Sequence, residues 1–256
     1  MLSPAPQRGI GAATVRRLAS AGWRVVAVDR CSDDKRVPYH LATREELAAL
    51  VGEFPGAVTD VVADVQDRAA LADAVAVAEH EFGGLDAAVA CAAVMAGGQP
   101  LWEADDDEWQ VLFSVCVDGV ANLARVAVPS MLRHPEPRTG RFVALASAAG
   151  HRGLLNLAGY NAAKHAVVGL IKGLAHDLRG TGIGATAVSP GSTRTAMLDA
   201  TAQVYGLEST EELAQHQLVG RLLEPDEVAA AICWLCSADS SAVSGSVIHA
   251  DGGFTA

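Results

Sequence analysis

The segment Gly9-Ile-Gly-Ala-Ala-Thr-Val-Arg-Arg-Leu-Ala-Ser-Ala-Gly-Trp-Arg-Val-Val-Ala-Val-Asp29 decides how this chain is read. Residues 11–21 carry apolar side chains at helical spacing, Gly22 breaks the pattern, and 24–29 is a short β-branched run that closes on an acid. A helix opened by Gly-x-Gly and followed by a strand of the buried type is one step of an alternating α/β chain. The step repeats outward. Further strands are predicted at 58–64, 85–91, 141–147, 184–189 and 246–250. Helices are predicted at 44–53, 68–82, 106–132, 157–180, 210–218 and 225–236. The pattern implies one doubly wound parallel sheet with helices on both faces, spanning residues 1–256 as a single domain. No repeat or linker divides it.

Bulk properties narrow the function. The chain has 256 residues, 50% of them hydrophobic, enough for one large core. Its net charge of -11 is dispersed, which argues against nucleic-acid binding. No run approaches the ~18 apolar residues of a membrane span, and no charged start leads into an apolar stretch, so a cytoplasmic protein with no membrane partner is expected. The five cysteines form no paired CxxC set, and Cys233-Trp-Leu-Cys236 lies inside a helical pattern. Core packing is therefore expected there, and no metal site.

In such sheets ligands lie beyond the carboxyl ends of the strands. Gly9-Ile10-Gly11 would let a pyrophosphate approach backbone N–H groups at a helix start. Asp29, eighteen residues beyond Gly11, stands where a carboxylate takes adenosine ribose hydroxyls. A carboxylate there repels a 2′-phosphate and favours NAD, whereas Arg8 and Arg30 argue for NADP. Asp64, before Val65, is read either as an acceptor for the adenine amino group or as a helix cap. Pro190-Gly191-Ser192-Thr193-Arg194-Thr195 is a tight turn after a strand. Tyr160 and Lys164, four residues apart, share one helix face, with Ser147 upstream at the end of an apolar run. A lysine near a phenol favours the phenolate, lowering a value that is ordinarily ~10.

These pieces, with the tail Gly220-Arg-Leu-Leu-Glu-Pro-Asp-Glu-Val228 and Asp251-Gly-Gly253, resemble the short-chain dehydrogenase/reductase family over nearly the whole chain. The insert Val37-Pro-Tyr-His-Leu-Ala-Thr-Arg-Glu-Glu-Leu47 is similar to the Pro-Tyr-x-Leu-Ala-Thr segment of mycofactocin-coupled and carveol-dehydrogenase-like members, which are thought to hold NAD tightly beneath it. The resemblance implies that Tyr160 is the acid/base, that Lys164 binds the nicotinamide ribose and lowers the phenol's pKa, and that Ser147 orients the substrate oxygen. It places Gly9, Ile10, Gly11, Asp29, Asp64, Val65, Cys91, Ala92, Pro190, Gly191, Thr193 and Thr195 on the cofactor, beside Tyr160 and Lys164. It also implies a homotetramer or homodimer built through the helices predicted at 106–132 and 157–180.

Three departures stand against the family pattern. The chain starts Met1-Leu-Ser-Pro-Ala-Pro-Gln-Arg-Gly9, with Pro4 and Ala5 in place of a threonine and a glycine, so the first strand is expected to be shortened or missing. Ala90-Cys91-Ala92-Ala93 stands where the family has Asn-Asn-Ala-Gly. Cys116 replaces an asparagine of the proton relay, so slower proton exchange is expected. Substrate contacts are expected from 94–102, from His151 and Leu154, and from a substrate loop at about 192–218 in which Met197, Leu198, Val204 and Tyr205 form an apolar lid. His151 reads as a loop histidine. The preferred reading is an NAD-dependent oxidoreductase of a secondary alcohol or ketone. A weakly active nucleotide-binding or scaffolding protein and an NADP-linked 3-oxoacyl reductase are the alternatives.

Overall fold

The computed structural model describes residues 9–256. Two parallel sheets carry the fold. In the first, β1 (Val25–Asp29) pairs with β2 (Val58–Val62). In the second, β3 (Ala87–Ala90), β4 (Arg141–Leu145), β5 (Gly184–Pro190) and β6 (Val247–Ala250) lie side by side in that order. Each connection between neighbouring strands crosses through a helix or turn, as parallel pairing requires. The expected α/β architecture holds, and the predicted strands differ from the observed ones by at most two residues at either end.

β4 and β5 are buried along their whole length, so apart from Arg141, Thr186 and Ser189 their residues are small or apolar, without alternation. On one face Phe142, Ala144, Ala185 and Ala187 pack with Ala127 and Met131 of α5 (Gly119–Leu132) and with Val167 and Ile171 of α6 (Ala158–Asp177). On the other, Val143, Leu145 and Val188 pack with Leu18 of α1 (Gly9–Ser20) and with Val228, Ile232, Leu235 and Cys236 of α8 (Pro225–Cys236). All five cysteines are free, and Cys236 is part of that core, as a packing role requires. Gly182, at φ +81°, leads into β5, and a Cβ there would lie 2.4 Å from the carbonyl oxygen of Arg138. Gly182→Ala should therefore cost about 3 kcal/mol, read as a lower urea midpoint at unchanged slope.

Three predicted elements differ. The helix expected over 106–132 is broken: α4 (Asp106–Phe113) passes into a π-helical turn, Ser114–Asp118, before α5. The wider turn brings Gly119 against Val65, where a Cβ would lie 2.7 Å from Val65 Cγ2. The helix expected over 210–218 is a 3-10 helix, Thr210–His216, opened by a Ser209/Glu212 capping box. A helix not predicted, α7 (Ala196–Val204), is capped by Thr195, whose hydroxyl accepts from Leu198 N–H. Two further helices, α2 (Arg44–Gly52) and α3 (Arg68–Phe82), follow the sequence reading closely.

The stretch Asp106–Leu132 is long and apolar enough, by length and composition, to cross a membrane. Contiguous apolar runs did not reveal this, because polar residues interrupt them. Here it packs Leu112, Val115, Cys116, Val120, Ala127 and Met131 into the core.

The expectation of a shortened or missing first strand, and the roles considered for Pro4, Ala5 and Arg8, lie outside the described residues. Among the described residues no strand pairs with the edges of β1 and β3 that face one another. A cavity of about 1310 Å³ extends from the carboxyl ends of the strands down between these edges.

Candidate active site

Every residue assigned to chemistry from the sequence lines that one cavity: Gly9, Ile10, Gly11, Asp29, Asp64, Val65, Cys91, Ala92, Ser147, Tyr160, Lys164, Pro190, Gly191, Thr193 and Thr195. Its location at the carboxyl ends of β1, β3, β4 and β5 is where doubly wound sheets take ligands.

Gly9 opens α1 at φ +78°, two residues earlier than the sequence pattern implied. Gly11 follows within the first turn, and a Cβ there would meet Cys91 Cβ at 3.5 Å. The helix start, Gly9-Ile10-Gly11, lines the cavity. Asp29 closes β1 and accepts a hydrogen bond from Cys31 N–H at 2.8 Å. Burial holds its carboxyl above the usual carboxylate range. Arg30 is not directed at a phosphate position: its Nη1 lies 3.0 Å from Asp34 Oδ2 and 3.5 Å from Asp64 Oδ2. Asp34 also takes Arg36, whose hydrogen bonds hold its carboxyl well below the usual range. The reading of Arg30 as support for a 2′-phosphate is therefore corrected, since carboxylates already neutralise it. Asp64 accepts from Gln66 N–H at 2.9 Å, so it braces the turn after β2 while lining the cavity.

On α6, Tyr160 and Lys164 are 8% and 2% exposed. Their relation differs from the expectation. Lys164 Nζ donates to Leu145 O at 3.0 Å and lies 5.8 Å from the centroid of the Tyr160 ring. Burial, the largest influence, holds the phenol above its ordinary value, with the Cys116 thiol adding to the rise and Ser147 opposing it. Burial also holds Lys164 below the ordinary lysine value. A lowered Tyr160 is thus not what this arrangement produces, because the lysine is desolvated and spends its donor on β4. Ser147 accepts from Ala149 N–H at 3.1 Å, capping the 3-10 turn Ala148–Gly150, while facing the phenol. Cys116 sits in the π-helical turn, with its thiol 3.3 Å from Val94 O.

Beyond Gly191 the chain is held tightly: a Cβ there would lie 2.5 Å from Asp251 O. Thr193 Oγ1 donates to Gly191 O at 3.0 Å, and Thr195 caps α7. Of the four expected lid residues, Met197, Leu198 and Tyr205 line the cavity and Val204 does not. Met197 Sδ is 3.9 Å from the Tyr160 hydroxyl, and Tyr205 Oη donates to Leu155 O at 3.0 Å, joining the lid to the loop after Ser147. The insert contributes more than its sequence indicated. Tyr39 is largely buried beside Cys116, Leu157 and Tyr160, and its hydroxyl accepts from Met95 N–H at 3.0 Å. Two contributors were missed: the Leu145 carbonyl, which no side-chain reading can find, and Asn122, whose amide donates to Val65 O at 3.1 Å. His151, read as a loop histidine, bonds Ser189.

A family profile described as enoyl-(acyl carrier protein) reductase matches residues 5–255. The chain is 34% identical to an uncharacterized oxidoreductase of Mycobacterium tuberculosis, covering 96% of this chain and 92% of the relative. It is 36% identical to a cis-4-hydroxycyclohexanecarboxylate dehydrogenase of Sinomonas cyclohexanicum, covering 97% and 93%. Among solved structures, carveol dehydrogenase of Mycobacterium avium in complex with NAD superposes with a TM-score of 0.90 at 29% identity, covering 97% of this chain and 94% of that one.

Proposed function

The chain belongs to the short-chain dehydrogenase/reductase family of oxidoreductases, and on that footing we propose that it transfers hydride between NAD and a secondary alcohol or ketone. The observation that carries the reading is the convergence of Ser147, Tyr160 and Lys164 on the cavity that also exposes Gly9, Gly11 and Asp29. The cavity fits the cofactor in two respects. A glycine-bearing helix start on the cavity wall suits a pyrophosphate, and a carboxylate at the end of β1 suits ribose hydroxyls. NAD is the nucleotide in the neighbouring carveol dehydrogenase and in a short-chain dehydrogenase from Mycobacterium paratuberculosis, which superposes with a TM-score of 0.87 at 28% identity.

When bound, the nicotinamide supplies the carbon that takes or gives hydride. Tyr160 removes the alcohol proton during oxidation and returns it to the carbonyl oxygen during reduction. Ser147 donates to that same oxygen and sets its distance from the phenol. Lys164, fixed on Leu145 O, presents a cation beside the phenol and toward the ribose. The Cys116 thiol is bonded to Val94 O, so proton exchange behind Lys164 is slow.

Residues 192–218 form the substrate loop within one domain. With Met95, Leu154, Met197 and Tyr205 around the phenol, the site suits an apolar, modest-sized alcohol, whether cyclic or branched. The relatives' names include a cis-4-hydroxycyclohexanecarboxylate dehydrogenase and a carveol dehydrogenase, which supports a cyclic secondary alcohol. We place the enzyme in the cytoplasm as a homotetramer or homodimer, and mycofactocin-coupled turnover follows from the insert around Tyr39.

Mass spectrometry of nucleotide released from purified protein, followed by turnover of cyclic secondary alcohols with NAD, tests the reading. Release of NADP alone, or no turnover with either nucleotide, would overturn it. Asp29→Ser should weaken NAD about 30-fold and narrow the preference over NADP at least tenfold, measured by fluorescence titration, because the substitution removes both a ribose acceptor and a repulsive charge.

A further inference from the structure

His151 stands four residues beyond Ser147, just after the 3-10 turn Ala148–Gly150, and the chemistry above gives it no task. Its Nε2 lies 2.8 Å from Ser189 Oγ on β5. Ser189 is fully buried and immediately precedes Pro190-Gly191 on the cavity wall. Among the described residues Ser189 Oγ has no second hydrogen-bond partner, so its hydroxyl proton has a single acceptor, His151 Nε2. That arrangement places the imidazole proton on Nδ1. A protonated His151 carries donors on both ring nitrogens, which would leave the Ser189 O–H buried without an acceptor.

The surroundings favour the neutral ring. His249 of β6 lies against it, tilted by 52°, with ring centroids 4.5 Å apart. His249 Nδ1 is itself 2.9 Å from Thr255 Oγ1 and 3.6 Å from Asp251 Oδ2. From α6, His165 and Lys172 face the ring, and both oppose a proton there, as does His249. Asp251 alone among these neighbours favours one. Burial is the largest influence and holds His151 below the ordinary histidine value.

We propose that neutral His151 is a positioning residue for the reaction proposed above. It ties the turn that follows Ser147 to the strand end that presents Pro190-Gly191, and protonation turns that bond round, so that Ser189 Oγ accepts and its own proton is left buried without a partner. The two walls it joins are the one that aligns the substrate oxygen and the one that lines the cofactor end of the cavity. Gly191 is already pressed against Asp251 from the far side, so a Ser189 that shifts to find a new acceptor moves the turn relative to the cofactor position. The inference rests on the NAD-dependent reading, and its test begins without turnover.

Nitrogen-15 histidine NMR on the full chain should show the Nδ1–H tautomer for His151 and a titration midpoint below the ordinary ~6.5. NAD affinity, followed by fluorescence, should fall about tenfold as pH drops through that midpoint, the effect of one orphaned buried hydroxyl. His151→Gln places a non-titrating acceptor near the Nε2 position and should hold NAD affinity within about threefold across the same range. His151→Phe should bind at neutral pH as weakly as the parent does in acid, and the Ser189→Ala/His151→Phe pair should recover most of that loss. NAD affinity that stays flat through the His151 titration, or a His151→Phe variant that binds like the parent, removes the inference and leaves the functional reading intact. A parent that binds no NAD at any pH defeats both.

Discussion

Tyr160→Phe should lower kcat/KM for oxidation of a secondary alcohol about 10³-fold, within the range general acid–base groups supply. The substitution removes one oxygen and leaves the ring packed with Cys116, Leu157 and Ala163. Stability should change by about 1 kcal/mol, because the hydroxyl gives up a thioether contact at 3.9 Å and its hydrogen bond with Ser147. The pH profile gives the sharper test. Burial holds the phenol above its ordinary value, so the basic form needed for oxidation gains population only as pH rises. In the parent, oxidation should therefore climb through the alkaline range, while reduction, which needs the protonated phenol, holds level across the same range. The variant should show no such climb. Initial rates from nicotinamide absorbance between pH 6 and 10 decide it, and a variant that keeps a tenth of parental activity would remove Tyr160 from the chemistry.

Much of the fold was legible because parallel strands buried on both faces leave a simple trace. Phe142 to Leu145 is a continuous apolar run, and Ala185 to Val188 is interrupted only by the buried Thr186, for the reason that helices cover both sides of them. Helix limits were legible where side chains cap the ends, as with Asp67 before α3 and Pro225 opening α8. What escaped the sequence was decided by contacts remote in the chain. The π-helical turn at Ser114–Asp118 exists where Gly119 meets Val65, a residue of the β2–α3 connection, and nothing local in Ser-Val-Cys-Val-Asp announces it. Likewise α7 is a short alanine-rich stretch whose apolar face is defined by Leu213 and Leu222. A short sequence window cannot weigh such partners.

The candidate site was legible as a set of residues and illegible as electrostatics. Spacing alone puts Tyr160 and Lys164 on one helix face, and both do line the cavity with Ser147. Whether the lysine lowers the phenol depends on how deeply both are buried and on where the ammonium donates. The donor goes to the carbonyl of Leu145, a backbone group on a strand nineteen residues earlier. Arg30 shows the same limit. Beside Asp29 it reads as a phosphate ligand, but the turn that follows folds Asp34 and Asp64 onto it. Charge balance at a site is a property of the tertiary neighbourhood, which the chain's local order does not carry.

Lys164→Met should separate stability from activity in opposite directions. The side chain is 2% exposed, and its ammonium has one hydrogen bond, to Leu145 O, with thiols of Cys91 and Cys116 as its nearest electrostatic partners. Burying a cation with one neutral acceptor is unfavourable, and methionine matches the stem in length and fills the same space. The variant should be equally stable or up to about 2 kcal/mol more stable at pH 7, while kcat falls at least about 10²-fold through loss of the cation beside Tyr160 and of the ribose contact. The pH dependence has a definite sign. Lys164 is held below the ordinary lysine value, so between its folded pKa and the unfolded value of ~10.4 the unfolded chain binds more protons and the parent gains stability as pH rises. Methionine removes that gain, and the variant's advantage should be largest near neutrality and shrink toward pH 10. Cys236, pushed up to about 12, and Cys233, up to about 11, make stability fall with pH above ~8.5 in both proteins and so cancel in the difference, whereas Cys91 loses the Lys164 cation that opposes its rise and adds to the shrinking of the variant's advantage at high pH. Urea unfolding of both proteins at pH 7, 8.5 and 10 reads this difference directly. A variant destabilised by more than about 2 kcal/mol at pH 7 would show that Lys164 holds the fold together, whereas a stable variant with parental kcat would show that Tyr160 works without it.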